Sequence, residues 1–181
     1  MKKRIFALLA LAVPLMLLSA KAEEQAEHSG PKNAVAVIRG FKSHIEGVVH
    51  FTATDDGVVI RGEITGLTPG KHGFHIHEFG DVRSDDAKCH GGHFNPDKKK
   101  HGGPHSAERH VGDLGNITAD ENGKAIINMT DKLVSLSGPH SIIGRAVIVH
   151  GGADDEKSDP AGNAGPRIAG GVVGIASAEH K

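Results

Sequence analysis

Eight of the chain's 14 histidines (His72, His75, His77, His90, His93, His101, His105 and His110) crowd between His72 and Asp113, beside the only cysteine, Cys89. Imidazole is the commonest protein ligand for metals, so this concentration points to metal binding. His75 and His77 are two apart in Gly73-Phe-His-Ile-His-Glu-Phe79. On a strand they project to one face while Phe74 and Ile76 project to the other. Two imidazoles on a rigid face make half a metal site, or two histidines alternating on a polar face. His93 follows in Gly91-Gly-His-Phe-Asn-Pro96, His101 in His101-Gly-Gly-Pro104, and His110 with Asp113 in Glu108-Arg-His-Val-Gly-Asp113. His150 closes a later apolar run. Three imidazoles and a carboxylate suit zinc, whereas an all-imidazole set suits copper. Six histidines (His75, His77, His93, His101, His110, His150) and Asp113 make seven ligands, one fewer than two four-coordinate ions need. One imidazole would have to serve both ions through Nδ1 and Nε2. Spacing does not say which, and one zinc site among unrelated histidines remains the alternative.

The elements that must position these residues read as strands. Short β-rich runs fall at Ala34–Arg39, Glu46–Ala53, Val58–Thr65, Gly73–Phe79, Val111–Thr118, Ala125–Met129, Ile142–Val149 and Ile168–Ile175, separated by turn signals such as Asp56-Gly57, Pro69-Gly70 and Asp120-Glu-Asn-Gly123. Eight short strands and no convincing helix predict an all-β fold, an antiparallel sandwich or barrel. Two connections, Gly80 to Arg109 and Gly151 to Pro166, lack a strand pattern, and loops of this length in a small domain are usually functional or disordered. The first carries most of the histidines. Lys98-Lys99-Lys100 within it reads as a solvated run.

Met1–Ala22 has a basic start (Lys2, Lys3, Arg4), an apolar run from Ile5 to Leu18 and a small-x-small end at Ala20-Lys21-Ala22, the pattern of a cleaved secretory signal peptide. Its 14 apolar positions, interrupted by Pro14, fall short of the roughly 20 that span a bilayer. Export is therefore expected, with the bacterial periplasm favoured over extracellular release and no membrane association after cleavage. Glu23–Lys32 reads as a polar tail, and 33–181 as one domain. Without the signal, 17 basic face 22 acidic residues, a net charge of −5, and the chain has no Trp or Tyr. That balance lacks the basic, stacking surface used to bind nucleic acid.

The motifs Gly73-Phe-His-Ile-His-Glu-Phe-Gly-Asp81, Gly92-His-Phe-Asn-Pro96, His101-Gly-Gly-Pro104, Glu108-Arg-His-Val-Gly-Asp-Leu-Gly-Asn116, Ile142-Ile-Gly-Arg145, Val149-His150, Ala153-Asp-Asp155 and Gly162-Asn-Ala-Gly-Pro-Arg-Ile-Ala169 resemble those of the copper/zinc superoxide dismutases, in order, across Asn33 to Ala176. The resemblance implies an eight-stranded antiparallel Greek-key β-barrel with one copper and one zinc per subunit between two long loops. It implies copper ligands at His75, His77, His93 and His150, and zinc ligands at His93, His101, His110 and Asp113, with His93 the shared imidazolate. Asp154 matches the outer carboxylate linking a copper ligand to a zinc ligand, and Arg167 the arginine that orients the anionic substrate. The implied reaction converts two superoxide anions and two protons to O₂ and hydrogen peroxide by alternate reduction and oxidation of copper. Phe79, Gly80, Ile143, Gly144 and Ile175 match the family's common homodimer contact.

The chain departs from the family at its disulfide. Cys89 matches one partner, but Gly170 in Arg167-Ile-Ala-Gly-Gly171 stands where the resemblance places the other, so no intrachain bridge can form. Three fates remain for Cys89. A buried thiol packed like a small apolar group is favoured over a reactive thiol or half of an intermolecular disulfide. His90 and His105 are expected at the surface and His72 in the framework, and Lys157 reads as an ordinary solvated charge. An exported copper- and zinc-sequestering protein, inactive because its untied loop no longer holds Arg167, is the alternative function.

Overall fold

Apolar residues at every second position set the architecture. The computed structural model describes residues 30–83 and 88–177. The expected signal peptide and residues 23–29 of the tail lie outside them. Strand β1 (Asn33–Gly40) turns Ala34, Ala36 and Ile38 inward, β2 (Glu46–Thr54) Val49 and Phe51, and β3 (Gly57–Thr65) Val58, Ile60 and Ile64. After β4 (Gly70–His77) come β5 (Asp113–Ala119), β6 (Ala125–Asp131), β7 (Ala146–His150), β8 (Arg167–Val172) and the two-residue β9 (Gly174–Ile175). The inward faces form one core, in which Phe51, Phe74, Ile38, Ile60, Ile64 and Ile76 are fully buried. Each such side chain contributes about 1.5–3 kcal/mol relative to exposure.

The hydrogen-bonded order is β2-β3-β6-β5-β4-β7-β8-β1-β9, and β1 also pairs with β2 from Asn33↔Thr52 to Arg39↔Glu46, which closes the sheet into a barrel. All pairings between these strands are antiparallel. Strands β3 and β4 are separated in space by β6 and β5, and β6 and β7 by β5 and β4. These two overlapping crossovers are the expected Greek-key connections. Among the described residues the one helical element is a single 3₁₀ turn at Lys88–His90.

At three places the observed strand ends differ from the expected ones for a plain physical reason. Pro69-Gly70 was expected as a turn, yet β4 begins at Gly70, because Gly70, Lys71 and His72 pair with Ala119, Thr118 and Ile117 of β5. The run Ile142–Arg145 is a turn rather than the start of β7. Gly144 takes φ +77° and the Arg145 N–H donates to the Ile142 carbonyl. The last strand breaks at Val173, which bonds the Gly144–Arg145 turn, and resumes against β1.

Strand β4, like β7, is an exception to one-sided burial. Every residue from His72 to His77 is buried, although an antiparallel sheet commonly leaves one face to water. The two long loops supply the cover. Where β5 diverges from β4, loop residues take over its open edge: Phe94 N–H donates to Ile76 O at 2.8 Å, Glu78 N–H to Gly92 O at 2.9 Å, and Phe79 N–H to His90 O at 2.9 Å. These bonds satisfy backbone groups that would otherwise remain open. They also hold the loop to the barrel without a disulfide.

Candidate metal centre

Strand register delivers the first candidate ligands. His75 and His77 face Ile148 and Ala146 of β7, and His150 at the end of β7 lies opposite Arg167 on β8. Bulges interrupt the ladder between Gly73 and His75 and between Val149 and His150, a device that re-aims side chains. His93 reaches the group from the loop, where it forms an isolated bridge with His77. His110 and Asp113 stand where the chain re-enters β5, and His101 is drawn in by its N–H bond to Asp159 at 2.7 Å.

The seven candidate ligands form two groups of four, His75, His77, His93, His150 and His93, His101, His110, Asp113, with His93 common to both. Within each group the donor atoms all lie within 4.8 Å of one another, and every residue is buried. In the first group His77 Nε2 is 3.4 Å from His150 Nε2, and the His75 and His93 ring centroids are 4.0 Å apart. In the second, Asp113 Oδ1 is 2.7 Å from His93 Nδ1, 3.1 Å from His101 Nδ1 and 3.1 Å from His110 Nδ1.

Four of the nitrogens turned away from these groups are hydrogen-bonded. His77 Nδ1 donates to Gly91 O at 3.1 Å and His150 Nδ1 to Gly165 O at 3.1 Å. Asp154 accepts from His75 Nε2 at 2.8 Å and from His101 Nε2 at 2.9 Å, joining one group to the other. Asn116 holds Asp154 in turn, accepting its N–H at 2.8 Å and donating to its carbonyl at 3.0 Å. Gly162 lets the second loop pass this carboxylate. A Cβ there would fall 1.7 Å from Asp154 Oδ1, and its φ is +59°.

What remains are the inward nitrogens. His75 Nδ1, His93 Nε2 and His101 Nδ1 are buried with no hydrogen-bond partner. Leaving such atoms unsatisfied costs about 1–3 kcal/mol each, and a cation at each group's centre meets all three. Electrostatics favour the same occupancy. Burial, reinforced by the neighbouring imidazoles and Arg167, holds His77 well below its ordinary pKa and His150 down to about 3. Burial also lowers His93 to about 4, against the opposing hydrogen bond to Asp113. These imidazoles are neutral and can offer lone pairs. His101 is the reverse case. Burial lowers it, but Asp113 and Asp154 outweigh that effect and raise it to about 10, marking a position where positive charge is favoured. Burial likewise opposes ionisation of Asp113, and the surrounding histidines overcome it, so the carboxylate stays charged.

A family profile described as copper/zinc superoxide dismutase matches residues 45–173. The chain belongs to the copper/zinc superoxide dismutase family. It is 46% identical over 153 residues, covering 80% of this chain and 76% of the relative, to a protein of Brugia pahangi named extracellular superoxide dismutase [Cu-Zn]. It also resembles the crystal structure of the clock protein EA4, with 50% identity and a TM-score of 0.76 over 82% of this chain and 97% of that one. The protein is thus a dismutase that converts superoxide to O₂ and hydrogen peroxide and uses copper and zinc. The donor chemistry fits both ions: an all-imidazole group for copper, three imidazoles and a carboxylate for zinc.

The dismutase also corrects two expectations for its loop. Cys89 is exposed, not a buried thiol, and His90 is fully buried, not a surface residue. The loop turns its histidine rather than its cysteine toward the barrel, and an aperiodic loop gives no sequence signal for that choice. His105 and Lys98–Lys100 are exposed as expected, and His72 is a framework residue, 2.8 Å from both His150 O and Thr68 O. Sequence reasoning also missed the Gly91 and Gly165 carbonyls, which aim two ligand rings, and Asn116 behind Asp154. Backbone acceptors leave no mark in residue identity.

Proposed function

We propose that His75, His77, His93 and His150 hold the copper of this dismutase, that His93, His101, His110 and Asp113 hold its zinc, and that Arg167 orients superoxide. The observation that carries this reading is the shared His93, whose Nδ1 faces Asp113 while the buried Nε2 faces the all-imidazole group. Bound there, copper supplies a one-electron redox couple and zinc a fixed positive charge. Asp154 fixes His75 and His101 in the tautomer that presents Nδ1 to the ions. His93 Nε2 is the atom that takes up a proton and returns it to the departing peroxide, and its confinement between the two groups keeps that transfer short. Arg167 is permanently charged and donates to Gly91 O at 2.5 Å, the carbonyl that also accepts from His77 Nδ1, which supports a position for its charge near the copper ligands. The loop bonds along β4 fasten residues 90–94 to the barrel, which disfavours the inactive sequestering alternative. Superoxide consumption by protein reconstituted with both metals, compared with Arg167→Ala at equal copper content, tests the reading. A fall in turnover without loss of copper is expected, and equal rates would overturn the role of Arg167.

Two further assignments belong to the same reading. Phe79 and Ile175 are strongly exposed, and Gly80 packs so closely on Gly144 that a Cβ would meet the Gly144 carbonyl at 2.2 Å and Val172 Cγ1 at 3.1 Å. Together with Ile143 they offer an apolar patch for a homodimer, which sedimentation equilibrium tests; a monomer at micromolar concentration would refute it. Export follows from Met1–Ala22 and is supported by the extracellular name of the Brugia pahangi relative, with 33–181 as the functional domain and the periplasm or the extracellular space as destination. N-terminal sequencing of the mature chain should begin at Glu23, and an intact Met1 would refute cleavage.

A further inference from the structure

At Gly170 the barrel wall lacks a side chain, and the space beside it is occupied from the far end of β1. A Cβ at Gly170 would meet Val147 O at 2.7 Å, Ile148 Cδ1 at 2.8 Å and Phe41 Cζ at 3.0 Å. Phe41 is set there by its backbone: Arg39 and Gly40 pair with Gly170 and Ala169, and the Phe41 N–H donates to Ile168 O at 3.0 Å. Its ring meets the buried ring of His90, with centroids 5.4 Å apart and planes tilted by 36°. The next residue is Gly91, whose carbonyl accepts from both His77 Nδ1 and Arg167 Nη2.

We propose that the Phe41–His90 ring contact is a non-covalent clamp that positions the Gly91 carbonyl, and through it Arg167 and the His77 ring, in a chain that has no disulfide at this place. The proposal rests on the roles given above to Arg167 and His77. The backbone bonds of residues 90–94 fasten the loop to the edge of β4, whereas Arg167 stands on β8, across β7 from that edge. Fixing Gly91 relative to both strands needs a tie on each side, and the Phe41 ring supplies the one to β1 and β8. Ring pairs at this separation favour tilted or edge-on geometry and restrict sliding. Gly170 is part of the device, because any larger residue there would displace the Phe41 ring or the β7 backbone. Phe41 and His90 are therefore positioning residues, acting through a carbonyl rather than touching substrate.

The test uses copper- and zinc-loaded protein and azide as an anionic probe of the copper position, with Cu(II) electron paramagnetic resonance as a second readout. Azide affinity should fall about three- to tenfold in Phe41→Leu and in His90→Ala, the range a single ring contact supports. His90→Phe, which keeps a ring, should return to within about twofold of the parent. Arg167→Ala serves as the reference. If Arg167→Ala weakens azide binding while Phe41→Leu and His90→Ala bind like the parent, the clamp is refuted and the role of Arg167 stands. If Arg167→Ala binds azide normally, that role fails instead. The clamp is then judged by the Cu(II) spectrum, which must change in Phe41→Leu and His90→Ala and revert in His90→Phe; an unchanged spectrum overturns it. Should His90→Ala not fold, Phe41→Leu and His90→Phe give the same decision.

Discussion

Gly170→Cys reinstates the residue that the family resemblance places opposite Cys89, and two magnitudes of opposite sign bear on it. A bridge from Cys89 would close a loop of about 80 residues and, by loop entropy, stabilise the fold by about 4.5 kcal/mol. Against this, the new Cβ would lie 2.7 Å from Val147 O, 2.8 Å from Ile148 Cδ1 and 3.0 Å from Phe41 Cζ. Val147 O belongs to the β7–β8 ladder, in which Val147 pairs with Gly171 and Ile148 with Gly170, so it cannot yield without disturbing both strands. Overpacking of this kind costs about 1–3 kcal/mol. The sign depends on whether the bridge forms. Cys89 is exposed, while its neighbour His90 faces the barrel and packs on Phe41, the residue beside the new side chain. The bridge is therefore expected not to form, and the variant should melt about 2–12 °C below the parent, the shift that 1–3 kcal/mol produces in a domain of this size. Neither protein's melting temperature should respond to reductant. Thermal melts of the metal-loaded proteins with and without reductant decide the matter. A variant that melts above the parent under oxidising conditions, and drops on reduction, would refute the packing argument and the orientation assigned to residues 89 and 90.

The Arg109–Asp131 ion pair is buried, with Nη2 2.6 Å from Oδ2, and Arg109 also donates to Asp113 O at 2.8 Å. Arg109→Met should lower stability by about 3–5 kcal/mol, because it strands a buried carboxylate; denaturant unfolding with less than 1 kcal/mol of change would contradict that. Asp154→Asn should weaken metal binding about 10- to 100-fold at both positions, since one carboxylate orients His75 and His101. Chelator competition measures this, and a loss confined to one metal would count against a shared role. Asp155 caps the second loop by accepting from the Ser158 N–H at 2.8 Å, Ser158 Oγ at 2.7 Å and Asn163 Nδ2 at 2.9 Å, and the Ser158 bonds first among these hold its pKa down to about 2. A depressed carboxylate contributes stability that is present above its ordinary pKa near 4 and is lost as pH falls toward 2. Hydrogen exchange at Ser158 should therefore stay slow at pH 4 in the parent and be fast in Asp155→Ala; equal rates would remove the cap from the account.

The residues of the two candidate metal groups were legible because metal chemistry restricts both residue type and spacing. The pair His75 and His77 needs only the two-residue period of a strand, and seven donors for eight coordination positions already demand one shared imidazole. Barrel strands were legible for the related reason that one wet face and one dry face write an alternation into β1, β2 and β3. The supports of the site follow neither rule. Gly91, Gly165 and Gly92 act through carbonyls, which every residue carries, so nothing in their identity marks them. In the loop no periodicity fixes which of Cys89 and His90 faces inward, and the tendency of a lone thiol to pack like a small apolar group pointed to the wrong one. The segment Ile142–Val149 read as one strand, but Gly144 at φ +77° turns the chain and β7 starts only at Ala146. Residue identity thus determines what the centre binds, while the aim of each ring depends on backbone held by packing at a distance. A substitution at Phe41 or Gly170, neither of which belongs to either ligand group, is consequently a more searching test of how this dismutase keeps its loop in place than the removal of any single histidine.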